Sequence, residues 1–135
     1  MRVLVVEDEA LIGRVLEDEL MQAGHTVIGP VASAPAALKL ARTEQPTLAL
    51  IDLDVGDSPA PGELARTLKE SLGVTSLFLA CETKRAQPFL DAALGVIAKP
   101  FDVAELPAAL DVAAEILAGG EPPPPPIPAA MQIFQ

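Results

Sequence analysis

Short apolar runs alternate along this chain with stretches of helical periodicity. Val3-Leu4-Val5-Val6 has no polar interruption, as expected of a strand buried on both faces. Leu11, Ile12, Val15, Leu16, Leu20 and Met21 then recur at helical spacing, and Gly24 is a helix stop. Thr26 to Gly29 reads as a short second strand. Ser33 as N-cap and Pro35 in the first turn open a second helix over Ala34 to Thr43. Leu48-Ala49-Leu50-Ile51 predicts a third buried strand ending at Asp52. A loop rich in Gly, Pro, Asp and Ser, Val55 to Gly62, leads into a helix over Glu63 to Leu72. Ser76 to Ala80 and Gly95 to Ala98 are the fourth and fifth strands. Between them, Pro88 predicts that any helix within Glu82 to Leu94 is short or broken. A last helix starts at Asp102, which with Glu105 makes a capping-box-like pair, and shows Leu106, Leu110, Ala113, Ile116 and Leu117 on one face. Pro107 near that start removes at most one backbone bond and can shift the true beginning.

Strands alternating with helices at this spacing form βαβ units around a parallel sheet. The expected fold class is α/β, a three-layer α/β/α sandwich with a five-stranded parallel sheet in residues 1–118. From Gly119 the composition changes, so 119–135 reads as a Pro-rich tail. Its run Pro122 to Pro126 predicts a stiff polyproline spacer of about 15 Å. The residues after it are either disordered or a docking segment, and Met131, Ile133 and Phe134 are the reason to consider docking.

Half of the residues are hydrophobic, enough for a core without disulfides or structural metal. A formal charge of −10 argues against direct nucleic-acid binding, which needs cationic footprints on phosphate. The single cysteine, Cys81, permits no internal disulfide, and no apolar stretch is long enough to span a bilayer. A cytoplasmic protein without membrane insertion is expected.

The chemistry gathers at the strand ends. The first strand stops at Glu7-Asp8-Glu9, the third at Asp52 and the fifth at Lys99-Pro100. Ligands of open α/β sheets bind at the carboxyl edge of the strands, so Glu7, Asp8, Asp52 and Lys99 would converge there. Three acids and one lysine suit a hard metal ion and a phosphoryl group.

These residues resemble the receiver domain of two-component response regulators. The resemblance rests on Val3 to Glu9, Ile51-Asp52 and Lys99-Pro100-Phe101, and covers essentially the whole expected domain. The segment Gly24 to Ala32 is similar to the single-domain receivers common in alphaproteobacteria. The resemblance implies a flavodoxin-like strand order 2-1-3-4-5 and a stand-alone receiver in a phosphorelay. Asp52 would accept a phosphoryl group from a sensor histidine kinase or phosphotransfer protein. Mg²⁺ would be held by Asp8, by Glu7 through water, by Asp52, and by the backbone carbonyl of Asp54. Lys99 would contact Asp52 or the phosphoryl oxygens, and Lys99-Pro100 is a candidate cis peptide. The chain would be a phosphoacceptor and not an enzyme beyond self-phosphorylation and self-dephosphorylation. Output would pass through contacts with a downstream protein, and a homodimer is compatible with the pattern.

Two positions depart from the family. Ala80 stands after the fourth strand where receivers usually carry Ser or Thr, and Val96 stands where many have Tyr or Phe. The usual paired motion of hydroxyl and ring is therefore absent, which keeps open a phosphorylation-independent interaction module with the same fold. Asp54 and Glu82 flank the site as acids able to hold or repel the water that would attack a phosphorylated Asp52, or merely to face solvent. Cys81 is expected to pack beside the pocket as a thiol, because acidic surroundings disfavour a thiolate. Asp52-Leu53-Asp54-Val55 also matches the nucleophile motif of haloacid-dehalogenase-type phosphatases, but that family needs it on the first core strand.

Overall fold

A computed structural model of the chain describes residues 1–56, 61–119 and 127–134. Its elements are β1 (Arg2–Val6), α1 (Ala10–Gln22), β2 (Thr26–Val31), α2 (Ala34–Glu44), β3 (Leu48–Asp52), α3 (Pro61–Leu72), β4 (Thr75–Ala80), β5 (Ala93–Ala98), α4 (Leu106–Leu117) and β6 (Met131–Ile133). Two 3₁₀ segments, Thr83–Phe89 and Val103–Glu105, precede β5 and α4. The strand order is β2-β1-β3-β4-β5-β6, with the first five parallel and β6 antiparallel to β5.

Side chains of successive strand residues point to opposite faces, and the apolar runs supply both. Leu4, Val6, Ala49, Ile51, Phe78, Ala80 and Val96 pack on one face with Ala34, Ala37 and Ala41 of α2 and Leu64, Ala65 and Leu68 of α3. Val3, Val5, Leu48, Leu50, Leu77, Leu79 and Ile97 pack on the other with Leu16 and Leu20 of α1 and Leu106, Ala109 and Leu110 of α4. The result is the three-layer sandwich, with the central strands β1, β3 and β4 almost entirely buried.

Three particulars differ from the hydrophobic pattern. The pattern predicts five strands, but Met131–Ile133 adds a sixth to the β5 edge, where a row of unpaired backbone groups would otherwise face water. The stretch around Pro88 forms a 3₁₀ segment, in keeping with the short or broken helix expected there. Asp102 caps the turn Val103–Glu105, its Oδ1 accepting from Ala104 N–H at 3.0 Å, and α4 starts only at Leu106 with Pro107 in its first turn. On α1 only Gly13, Leu16 and Leu20 are buried; Leu11 is 78% exposed, and Ile12, Val15 and Met21 are exposed too. The spacer Pro122–Pro126 and the 57–60 part of the predicted loop lie outside the described residues. Among the described residues no helix is long and apolar enough to cross a membrane.

Two glycines permit close approaches that position the site's surroundings. Gly62, at the start of α3, leaves room for the Phe89 ring, which a Cβ would overlap. That ring also lies 5.1 Å from the Arg66 guanidinium, and Arg66 Nη2 donates to the Pro88 carbonyl at 2.7 Å, so the 3₁₀ segment is pinned at its end. At Gly95 a Cβ would run into the backbone carbonyl of Gln132 in β6.

Since a backbone atom cannot swing away, Gly95→Val is expected to drive β6 off the sheet. The Phe134 amide, which donates to the Leu94 carbonyl at 2.9 Å, should then exchange with deuterium at least about tenfold faster while β1 and β3 amides keep their protection.

Candidate functional site

The carboxyl ends of β1, β3 and β5 meet as the sheet topology requires. Val6 pairs with Ile51, so the next residues, Glu7 and Asp52, lie side by side. Ala80 pairs with Ala98, and the following Lys99 N–H donates to the Ala80 carbonyl at 2.9 Å. Lys99-Pro100 is a cis peptide.

Asp52 is 3% exposed, and both of its carboxylate oxygens are engaged. Oδ2 accepts from Lys99 Nζ at 2.6 Å. Oδ1 accepts from the Asp54 N–H at 2.8 Å, an Asx-type turn that bends the chain sharply as it leaves β3. That turn brings the Asp54 side chain back over the sheet edge. Its Oδ2 accepts from the Cys81 N–H at 3.0 Å and from Lys99 Nζ at 3.2 Å, and its Oδ1 accepts from Arg85 Nη1 at 2.6 Å.

Glu7 is buried to 4% exposure, with Oε2 accepting from the N–H groups of Asp8 at 2.9 Å and Glu9 at 3.4 Å. Its Oε1 is buried without a hydrogen-bond partner. Burial, then the adjoining Asp52 carboxylate, pushes the Glu7 carboxyl from its ordinary 4.5 up to about 7. Burial disfavours the charged Lys99, but its hydrogen bonds to Asp52 and Asp54 outweigh that and raise its pKa. Burial likewise opposes ionisation of Asp54, yet the donors from Cys81 and Lys99 prevail and hold its carboxyl below the ordinary value.

Glu7, Asp52 and Lys99 come together. Asp8 is exposed beside Glu7 at the end of β1, and both line a cleft with Arg14, Glu17 and Pro30. Among the described residues no three His, Cys, Asp or Glu side chains form a ready metal-ligating group. The donor types nonetheless fit a hard divalent ion: carboxylate oxygens beside one another, one of them buried and unpartnered. Ala80 and Val96 are fully buried core residues, so neither position offers a hydroxyl or a ring. Among the described residues the Glu82 side chain pairs with Lys84, at 4.0 Å and in solvent. Cys81 is exposed, and hydrogen bonding to Asp54 raises its thiol pKa, so it stays protonated.

The sequence pattern did not single out Arg85. Its only signal is position, within the segment that Pro88 marks as irregular. Beside the site lies an apolar groove of about 520 Å³. It is lined by the exposed α1 residues Leu11, Ile12 and Val15, by Leu79 and Cys81, and by Lys99, Pro100, Phe101 and Val103.

No protein-family model matches the chain. It is 30% identical over 117 residues to the transcriptional regulatory protein PdtaR of Mycobacterium tuberculosis, covering 83% of this chain and 56% of PdtaR. It is also 30% identical over 118 residues to the phyllosphere-induced regulator PhyR of Methylorubrum extorquens, covering 82% of this chain and 42% of PhyR. The chain thus spans about half the length of the curated relatives it matches. Among solved structures, the isolated REC domain of RcsB from Salmonella enterica serovar Typhimurium superposes with a TM-score of 0.75 at 17% identity. That match covers 85% of this chain and 88% of the RcsB domain.

A carboxyl raised to about 7 in the fold and 4.5 when unfolded binds more protons in the folded state, so its contribution to stability is lost as pH rises between those values. In metal-free protein the Glu7 side-chain carbonyl resonance is expected to titrate near the upper value. Asp52→Asn should move that midpoint towards, but not down to, 4.5, because burial remains. An unmoved midpoint in the variant would show that Asp52 does not act on Glu7.

Proposed function

The chain carries the receiver-domain fold of two-component response regulators, and from that premise we propose that Asp52 accepts a phosphoryl group from a phosphohistidine. The donor is a sensor histidine kinase or phosphotransfer protein acting in the cytoplasm. The observation that carries this reading is the buried Asp52 carboxylate held 2.6 Å from the Lys99 ammonium. A carboxylate so paired stays charged in a nearly dry place, which a nucleophile requires.

An Asp52 oxygen attacks phosphorus, a P–O bond forms, and the P–N bond breaks with its electron pair leaving on the imidazole. Negative charge then grows on the phosphoryl oxygens beside Lys99, whose three rotatable N–H donors can follow it from the carboxylate. Mg²⁺ would be held by Glu7, Asp8, Asp52 and the Asp54 carbonyl, and would supply charge neutralisation for the transferred group. The unpartnered Glu7 oxygen supports this assignment. The RcsB REC domain was solved in the presence of the phosphomimetic BeF₃⁻, which makes the same ion a natural probe here.

Output passes through protein contacts. The groove along α1 borders Lys99 directly, and its exposed Leu11, Ile12 and Val15 suit a helical partner delivering or reading the phosphate. The switch is non-standard, because Ala80 offers no hydroxyl and Val96 is packed in the core. Those two residues favour one alternative, a receiver fold that binds its partner without phosphorylation.

With phosphoramidate and Mg²⁺ the protein is expected to gain the mass of one phosphoryl group, and Asp52→Asn to gain none. Lys99→Ala should slow the gain about 10²-fold. No gain with any small donor would leave the interaction module as the better reading.

A further inference from the structure

Asp54 presents a second carboxylate to the site, and the transfer chemistry makes no use of its side chain. It competes instead. Lys99 is shared, reaching Asp52 at 2.6 Å and Asp54 at 3.2 Å. A phosphoryl group on Asp52 replaces the single carboxylate charge with about two, a net gain of about one negative charge at this corner. A bare Asp54 carboxylate would repel that group and hold back part of Lys99.

Arg85 meets this charge from the far side, its Nη1 2.6 Å from Asp54 Oδ1. The arm is presented from a fixed base. The Arg85 N–H donates to the Glu82 carbonyl at 3.1 Å, and the same 3₁₀ segment is pinned at Pro88 and Phe89 by Arg66. Lys84 is no substitute, being 82% exposed and 4.0 Å from Glu82. A guanidinium keeps its charge and matches a carboxylate in shape. With no hydroxyl at Ala80, the freedom of Lys99 weighs more heavily than it otherwise would.

We propose that Arg85 is a positioning residue for phosphorylation, which by pairing with Asp54 neutralises that carboxylate and frees Lys99 for the phosphoryl group on Asp52. This rests on Asp52 being the acceptor. The pair is half-exposed, so solvent screening keeps its effect moderate.

The test is a double-mutant cycle on the full chain with phosphoramidate and Mg²⁺, read as the rate of mass gain. In that reaction an Asp52 oxygen bonds phosphorus, the P–N bond breaks, and ammonia leaves with a proton from solvent. R85A is expected to slow phosphorylation about fivefold, R85K to keep most of the rate, and R85A to cost less than about twofold when D54N is already present. A wild-type rate for R85A overturns the proposal. Equal slowing with and without D54N also overturns it, since Arg85 would then only support its segment. The Lys99 ¹⁵Nζ resonance, recorded without any donor, gives a second reading. It should move in R85A relative to wild type, but not in R85A/D54N relative to D54N; no movement in either pair overturns the coupling. Failure of the wild type to gain mass would remove Asp52 as acceptor, and the resonance would still decide whether Arg85 governs Lys99.

Discussion

The rest of the site depends on keeping one carboxylate charged at the nearly dry end of β3. Asp52 is 3% exposed, and a charge there costs several kcal/mol unless it is paired and hydrogen-bonded. Lys99 supplies the pair at 2.6 Å, and the Asp54 N–H supplies a second bond at 2.8 Å. Both partners depend on chain geometry. Lys99 is carried to the edge by β5, and the Asp54 N–H arrives because the chain turns immediately after Asp52. The sheet edge is thus a device for holding charge out of water.

The same constraint explains why acids accumulate here without separating the fold. Glu7 lies against Asp52 and takes the cost as a raised pKa, remaining largely protonated up to about neutral pH without metal. Asp54 takes the opposite course, stabilised in its charged form by Cys81, Lys99 and Arg85. Two neighbouring carboxyls therefore answer one crowded field differently, because one has N–H and ammonium donors and the other has a buried oxygen with none. A divalent ion placed beside Glu7 would favour its charged form instead.

The irregular segment Thr83–Phe89 joins this site to the rest of the molecule. Arg85 faces Asp54 at one end, while Phe89 packs into the space left by Gly62 at the other. Ala80 and Val96 are buried as plain core residues, and Asp52 is held by the Lys99 ammonium and the Asp54 N–H. The exposed apolar face of α1 borders the same corner, so the groove and the charged cluster share Lys99.

The sequence by itself determined the sandwich and the central trio of Glu7, Asp52 and Lys99. Uninterrupted runs such as Val3–Val6 and Leu48–Ile51 can only be satisfied between two layers of helices, and charged residues ending them must then share an edge. The sequence also marked Ala80 and Val96 as departures. Tertiary structure alone decided the rest. Leu11, Ile12 and Val15 fit the helical period as well as Leu16 and Leu20 do, and only the position of α1 on the sheet separates the exposed from the buried. Asp8 follows Glu7 directly, yet it is exposed where Glu7 is buried. Met131–Ile133 is too short a run to announce a strand, and it becomes one because the β5 edge is open and Gly95 lets it approach. Arg85 meets Asp54 from 31 residues away. Periodicity reports only which face of an element is apolar; contacts between distant side chains are set by how the elements pack.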